Sequence, residues 1–379
     1  MLLENNAYPD DVRVRLEAEA LVAAGHRVTV LAPRGANQSH RETLRGVHVE
    51  RFWMPPERDT VGGILVEYFA AHVQLIGRAV VKLARGAEVV HLHNPPDTLF
   101  PAGLVARLLR RRMVFDNHDL TPELFEDKFG GSRLVGVLRR AQRISMRSAD
   151  LVVASNQSQA ELATSVRGQG ADGVVVVRNG PRGIDLAEAP LVRDGALASP
   201  KLAYLGRLGS QDGVLSLAAL LRDLRDRHGL DPRLDVIGDG PVRDELETAL
   251  AAARLTHAVT FHGWVPFEAV PELLADADIC VDPAPCNALN HLSTMTKIAE
   301  YVAAARPVVA YELLETRRTA GDAALLASCG DPSALADRVA RLAGDPDLRR
   351  ELSARASERR ESLIWEHSAH ALVDAYARL

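Results

Sequence analysis

The segment Ser293-Thr294-Met295-Thr296-Lys297-Ile298-Ala299-Glu300-Tyr301, continued by Val302-Ala303-Ala304-Ala305-Arg306-Pro307-Val308-Val309-Ala310, decides the fold. It reads as a loop, a short helix, a turn and a buried strand, because hydroxyl residues open it and a β-branched apolar run closes it. A helix N-terminus presents backbone N–H groups and a partial positive charge, which favour phosphate. Glu300 lies about two turns down this helix, where a carboxylate can accept hydrogen bonds from a ribose diol. Taken alone, the segment is equally an ordinary helix–strand unit with some polar residues.

The same rhythm extends outward. In the back half, strands are expected at 201–206, 233–238, 259–263, 278–282 and 307–311, with helices near 213–228 and 242–253. In the front half, strands are expected at 28–32, 88–93, 112–116, 151–155 and 173–177, with helices near 13–24 and 101–111. Short apolar strands alternating with helices predict parallel sheets covered on both faces. Two such series predict an α/β chain of two Rossmann-like domains, with the break inside the Pro/Gly-punctuated stretch 178–200.

A chain of 379 residues has room for this, and 47% hydrophobic with 25% charged residues is the balance of a globular protein. Aromatics make up only 4%, so the cores must rest on Val, Leu, Ile and Ala. The net charge of −5 argues against bulk nucleic-acid binding. Cys280, Cys286 and Cys329 form no CxxC pair and have no histidine at zinc-ligand spacing; so sparse and odd a set predicts reduced thiols and a cytoplasmic setting. No secretory signal is read at the start. Residues 61–84 are apolar but interrupted by Glu67, His72, Gln74, Arg78 and Lys82, as in an amphipathic helix rather than a membrane span.

In doubly wound sheets, ligands bind beyond the carboxyl ends of the strands. Polar, Gly-rich and Pro-rich residues gather there in both halves: His93-Asn94-Pro95-Pro96-Asp97, Asp116-Asn117-His118-Asp119, Gly206-Arg207-Leu208-Gly209, Gly238-Asp239-Gly240-Pro241 and Asp282-Pro283-Ala284-Pro285. Arg207 can set a guanidinium fork against a diphosphate, or stand as a surface arginine. Gly238 and Gly240 can let backbone approach a ligand, or make a plain strand-to-helix turn. His118 can bond a sugar hydroxyl, or cap the helix that follows. His91 and His93 alternate along a strand and face one side; HxH can bind a metal, but no third ligand is suggested, and packed or donor histidines are expected. Asp276-Ala277-Asp278 looks like a DxD metal motif but sits on a helix-to-strand approach, where a structural role is expected. The helix 132–148 carries Arg133, Arg139, Arg140, Arg143 and Arg147 among apolar residues, which suits a solvated helix or peripheral contact with an anionic membrane.

Together these pieces resemble the retaining GT-B glycosyltransferases of the family-four (group 1) type over nearly the whole chain. The resemblance is carried by the opening Asn6 to Arg15 with Glu17 to Leu21 and Gly25 to Val30. It is carried equally by His93 to Asp97, Phe115 to Leu124, Val177-Arg178-Asn179-Gly180, Gly209 to Gly213, Ser293 to Tyr301, and the terminal Ile364-Trp365-Glu366 and Leu372 to Tyr376. It implies sheets facing across a cleft, an acceptor domain over 1–185, a nucleotide-sugar donor domain over 186–360, and a C-terminal helix, 361–379, crossing back onto the first domain. It further implies transfer of a hexosyl or N-acetylhexosaminyl group from a UDP-linked sugar to a hydroxyl acceptor, with retention. That acceptor would be a glycan, lipid-linked saccharide or small molecule. No metal is expected, since positive charge and helix dipoles can stabilise the departing diphosphate.

On this resemblance His118, Arg207 and Lys297 are the expected catalytic residues. Gly206, Gly238, Gly240, Ser293, Thr294, Met295 and Glu300 would bind the donor. Tyr8, Asp10, Arg13, His93, Asn94, Asp97 and Asp119 would line the acceptor side or cleft. Two positions depart from the family pattern: Asp212 stands where a lysine often stabilises the leaving group, and Leu292 where a glutamate is common. Lys297 is the candidate for the missing charge. These departures keep two rivals open, a catalytically silent sugar-nucleotide-binding protein and a GT-B-type sugar-nucleotide epimerase.

Overall fold

The computed structural model describes residues 1–35, 37–55, 61–168, 173–183 and 192–379, the side chains of 61, 62, 64, 65 and 332 excepted. The chain divides into two compact units, Met1–Asn179 with Ser368–Leu379, and Gly180–His367. The boundary expected at 185/186 lies outside the described residues.

In the first unit the strands are β1 (Thr29–Pro33), β2 (Arg41–Leu44), β3 (Val47–Phe52), β4 (Val89–His93), β5 (Arg112–Asn117), β6 (Leu151–Ala154) and β7 (Val174–Val176). They form two ladders, β1-β3-β2 and β4-β5-β6-β7. The N-terminal residues join the ladders: Leu3 N donates to Leu31 O at 2.9 Å and Leu2 N to His91 O at 2.8 Å. Three residues are too few for any periodicity, which is why this join is invisible in the sequence. The hairpin β2–β3, also unforeseen, turns at Arg45 and Gly46, both with positive φ, as a two-residue hairpin turn requires.

In the second unit, β8 (Lys201–Leu205), β9 (Arg233–Ile237), β10 (Val259–Gly263), β11 (Ile279–Asp282), β12 (Val308–Tyr311) and β13 (Ala324–Ala327) form one parallel sheet in the order β10-β9-β8-β11-β12-β13. Strand order reverses between β8 and β11, so the crevice that doubly wound sheets use for ligands lies beyond Leu205 and Asp282. β13 was not expected from the sequence, nor were the helices Pro332–Gly344 and Pro346–Arg359.

Helices cover both faces of this sheet. Leu217, Leu220, Leu221 and Leu224 of the helix Ser216–His228 pack with Val339 and Leu342 over one face. Ile298, Tyr301 and Val302 of the helix Thr296–Ala303 pack with Leu274 over the other. Each such side chain contributes about 1.5–3 kcal/mol on burial, so a core without many aromatics is still sufficient. The basic helix Arg133–Ser148 turns Val135, Ala141 and Met146 inward and its arginines outward. Among the described residues no helix is long and apolar enough to cross a membrane.

The cysteines correct the expectation of reduced thiols. Cys286 and Cys329 form a disulfide with Cα atoms 5.7 Å apart, and Cys280 alone stays a buried free thiol. Residues 43 apart in sequence meet because β11, β12 and β13 are neighbours, so the loops that follow β11 and β13 leave the same sheet edge. The count of cysteines therefore supports no statement about compartment.

Candidate functional site

Two polar clusters form at the carboxyl ends of strands, one in each unit. In the first unit Asp116 is the hub. Arg13 donates to it through Nε at 2.8 Å and Nη2 at 2.7 Å, and the Nδ1 atoms of His93 and His118 each lie 2.9 Å from Oδ2. Burial opposes charge on Asp116, but Arg13, His118 and the two histidine hydrogen bonds hold its carboxyl well below the usual range. Burial also opposes an imidazolium at His118, yet Asp116, with Asp119 adding to it, pushes its pKa up to about 9. His118 is therefore cationic at neutral pH, with Nδ1–H pointed at Asp116 and Nε2–H left as a charged donor. Burial, the largest influence on both His91 and His93, lowers their pKa values and favours neutral rings.

Asn94 holds the loop that carries His118. Its Oδ1 accepts from the amides of His118 at 2.9 Å and Asp119 at 3.0 Å, while its Nδ2 donates to Asp119 O at 2.7 Å and Asp97 Oδ1 at 3.1 Å. Arg13 also donates from Nη1 to Val177 O and Asn179 Oδ1, both at 2.8 Å. Tyr8, Arg13, His93, Asn94 and Asp97, expected to line a cleft, are buried; Arg13 and His93 Nδ1 bond Asp116, and Asn94 bonds Asp97 and the His118–Asp119 loop. Asp10 is exposed, and Asp119 half-buried. Sequence reasoning missed Asp116 as an organising residue. Its signal was the spacing: Asp116 and His118 are two apart at a strand end, so their side chains share a side.

In the second unit the cluster sits at the β8/β11 reversal. Lys297 Nζ donates to Asp212 Oδ1 at 2.8 Å and Tyr204 OH at 3.2 Å, and lies 3.5 Å from Asp282 Oδ1. Burial opposes the ammonium, but Asp282, Tyr204 and Asp212 keep it charged. Asn290 Nδ2 donates to Gln211 O at 3.1 Å and Pro285 O at 2.9 Å. The loop 206–213 is thus fastened to the loop after β11, and Arg207 is presented exposed on it. The carboxylate of Asp212 is neutralised by the buried Lys297.

Gly238 and Gly240 have a packing task. Gly238 has φ +133°, and a Cβ there would stand 2.0 Å from Gly206 O; at Gly240 it would stand 2.5 Å from Leu208 O. Their close approach is to the neighbouring loop, which Leu208 N fastens by donating to Asp239 O at 3.0 Å. Ser293 is likewise occupied, its hydroxyl donating to Leu289 O at 2.8 Å. The helix Thr296–Ala303 follows Met295 at the N-cap, which makes no side-chain cap bond. Thr294 is half-buried in the loop before it. Thr296 and Glu300 form its only less-buried stripe before Ala304, spaced i, i+4. Glu300 is one turn, not two, from the helix start.

At the opposite, amino-terminal ends of β8 and β9 lies a cavity of about 570 Å³ lined by Arg193, Lys201, Arg233 and Arg306. Asp278 pairs with Arg193 and accepts from Lys201 N at 2.7 Å, and Asp276 pairs with Lys201. The DxD pair is structural, as expected.

A family model described as a glycosyl transferase 4-like domain matches residues 11–180, and one described as glycosyl transferases group 1 matches residues 199–345. The chain belongs to this glycosyltransferase family. It is 28% identical over 160 residues to an alpha-D-kanosaminyltransferase of Streptomyces kanamyceticus, an alignment covering 42% of this chain and 40% of that protein. The chain thus spans less than half the length of that curated relative. Among solved structures it is similar to sucrose-phosphate synthase from Thermosynechococcus elongatus, with TM-score 0.73 and 20% identity over 100% of this chain and 98% of the other. It is similar also to Anabaena Alr3699/HepE in complex with UDP and glucose, with TM-score 0.72 and 18% identity over 100% and 99%. These likenesses make the fold GT-B, with parallel sheets in two domains.

Proposed function

We propose that the protein is a retaining glycosyltransferase that takes a sugar from a UDP-linked donor and passes it to a hydroxyl acceptor. The observation that carries this reading is the loop 206–213 at the strand-order reversal, which carries the exposed Arg207 and is fastened through Asp212 to Lys297 of the helix Thr296–Ala303. The UDP complex of a protein sharing the fold supports the choice of base.

The diphosphate is taken by the Arg207 fork and the amides around Thr294 and Met295, whose positive potential stabilises the charge that builds up as the donor bond breaks. Glu300, on the less-buried stripe of its helix, accepts from the ribose hydroxyls. Lys297 acts through the loop: its ammonium is committed to Asp212, Asp282 and Tyr204, so it fixes where Arg207 stands rather than meeting phosphate itself. His118 offers its charged Nε2–H to a sugar oxygen. Arg13, His93 and Asn94 position His118, and Asp10 and Asp119 remain for the acceptor. The acceptor is a small polyol, a glycan or a lipid-linked saccharide.

Thermal melts with a panel of nucleotide sugars test the reading, because a ligand that binds only the folded state raises the melting temperature. UDP-sugars are expected to shift it and to lose a sugar on incubation with polyol acceptors, with the anomeric configuration kept. A panel that produces no shift overturns the reading. Binding without transfer to any acceptor would favour the silent binder, and donor converted to its epimer the epimerase.

A further inference from the structure

We propose that the first unit holds a zinc-type divalent metal ion, bound by His91, His93 and Glu17, adjoining the Asp116 cluster that positions His118. Ligand-type atoms of Glu17, His91, His93 and Asp116 all lie within 4.8 Å of one another, and all four residues are buried. Both Oε atoms of Glu17, and Nε2 of His91 and of His93, are buried without a hydrogen-bond partner. Native interiors rarely leave such groups unsatisfied, and an ion or a water is the usual explanation when they do. Glu17 Oε1 keeps an ion pair with Arg13; the other three atoms, on three adjoining side chains, are hard to accommodate without an ion or a water.

The partners behind these side chains are those of metal ligands. A ligating histidine donates its other ring N–H to a carboxylate or similar acceptor, which fixes the tautomer and turns the lone pair toward the metal. His93 Nδ1 lies 2.9 Å from Asp116 Oδ2, and His91 Nδ1 lies 2.7 Å from Tyr376 OH. Glu17 has its own support: Arg13 Nη2 is 3.1 Å from Oε1, while Oε2 lies 3.9 Å from His91 Nε2. Each proposed ligand thus has one outer partner and one orphaned inner face. The rings of His91 and His93 stack with centroids 4.2 Å apart, as alternate residues on one face of β4.

The formal charges of the cluster balance, Arg13 and His118 against Asp116 and Glu17, so the orphaned atoms and the donor types carry the case for an ion. Two imidazole nitrogens and one carboxylate oxygen suit zinc or cobalt better than the all-oxygen shells that magnesium and calcium prefer. Every ligand is buried, so the ion would act as a staple. It would join the helix Val12–Ala23 to β4 and, through Tyr376, to the last helical segment of the same unit.

The test uses the full chain without a polyhistidine tag, produced in zinc-supplemented medium and purified without chelator. Elemental analysis is expected to find about one zinc per chain, and removal by a strong chelator to lower the melting temperature until zinc is returned. Cobalt in its place should give visible d–d absorption. His91→Gln and Glu17→Gln should abolish stoichiometric zinc, and Tyr376→Phe should weaken binding by about 10–100-fold as an outer partner. Wild-type protein that holds less than about a tenth of an equivalent of zinc, with a melting temperature indifferent to zinc and chelator, overturns the proposal. The buried nitrogens would then be satisfied by water. The wild-type measurements decide the matter even if a variant fails to fold, and none of them depends on the sugar-nucleotide assay.

Discussion

Asp116 sets the charge on His118, and the sign of the effect can be followed through pH. The folded His118 titrates near 9, above the ordinary histidine value of about 6.5. Its pairing therefore contributes fully to stability below about pH 6.5 and is lost as pH rises through about 9. The facing groups are Asp116 and Asp119, which favour the cation, and Arg13, which opposes it. An NMR titration of the imidazole should show this midpoint, and Asp116→Asn should drop it to the ordinary histidine range or below. An unchanged midpoint in that variant would refute the assignment. At Lys297 the question is stability. Lys297→Met strands Asp212 and the fully buried Asp282, and breaking a buried pair from one side costs roughly 3–5 kcal/mol. Urea melts should show that loss, and Asp212→Asn added to it should recover part. If Lys297→Met is as stable as the wild type, the ammonium does not hold the loop.

The elements that matter are two loops and one short helix. The turn after β9 packs backbone-to-backbone on the loop after β8, and only glycine fits that approach. Gly238→Ala meets both a positive φ and the Gly206 carbonyl. Strain of this kind costs roughly 1–3 kcal/mol before the clash is counted, and the displaced loop carries Arg207. The expected result is a lower urea midpoint together with weaker UDP-sugar binding in calorimetry. Full affinity in a folded variant would show that the loop pair does not shape the donor site. The helix Thr296–Ala303 was legible from its opening residues and apolar spacing. That Lys297 lies on its buried side was not, because a helical lysine defaults to solvent and only the carboxylates of Asp212 and Asp282 draw it inward.

At the scale of the whole molecule, the disulfide closes a loop of 43 residues across the β11–β13 edge. A cross-link of this size typically contributes about 2–4 kcal/mol. Reduction with a phosphine, or Cys286→Ser with Cys329→Ser, should lower the urea midpoint accordingly; no change would show that the bond is dispensable. Alternating strands and helices and the strand-end motifs were present in the chain, because hydrophobic periodicity and turn chemistry are local properties. His118, Arg207 and Glu300 are proposed as site residues on the same local grounds, each sitting in a short motif beyond a strand or on a helix. Tertiary structure alone decided that Arg13 and His93 turn inward to Asp116 and that Lys297 neutralises Asp212. It alone brought Cys286 to Cys329, and a glutamate from the first helix to the His-x-His pair of β4. Each of those contacts joins residues far apart in sequence, and burial makes them consequential. A buried charge or lone pair must find a partner in space, and the order of residues along the chain does not say which one it will be.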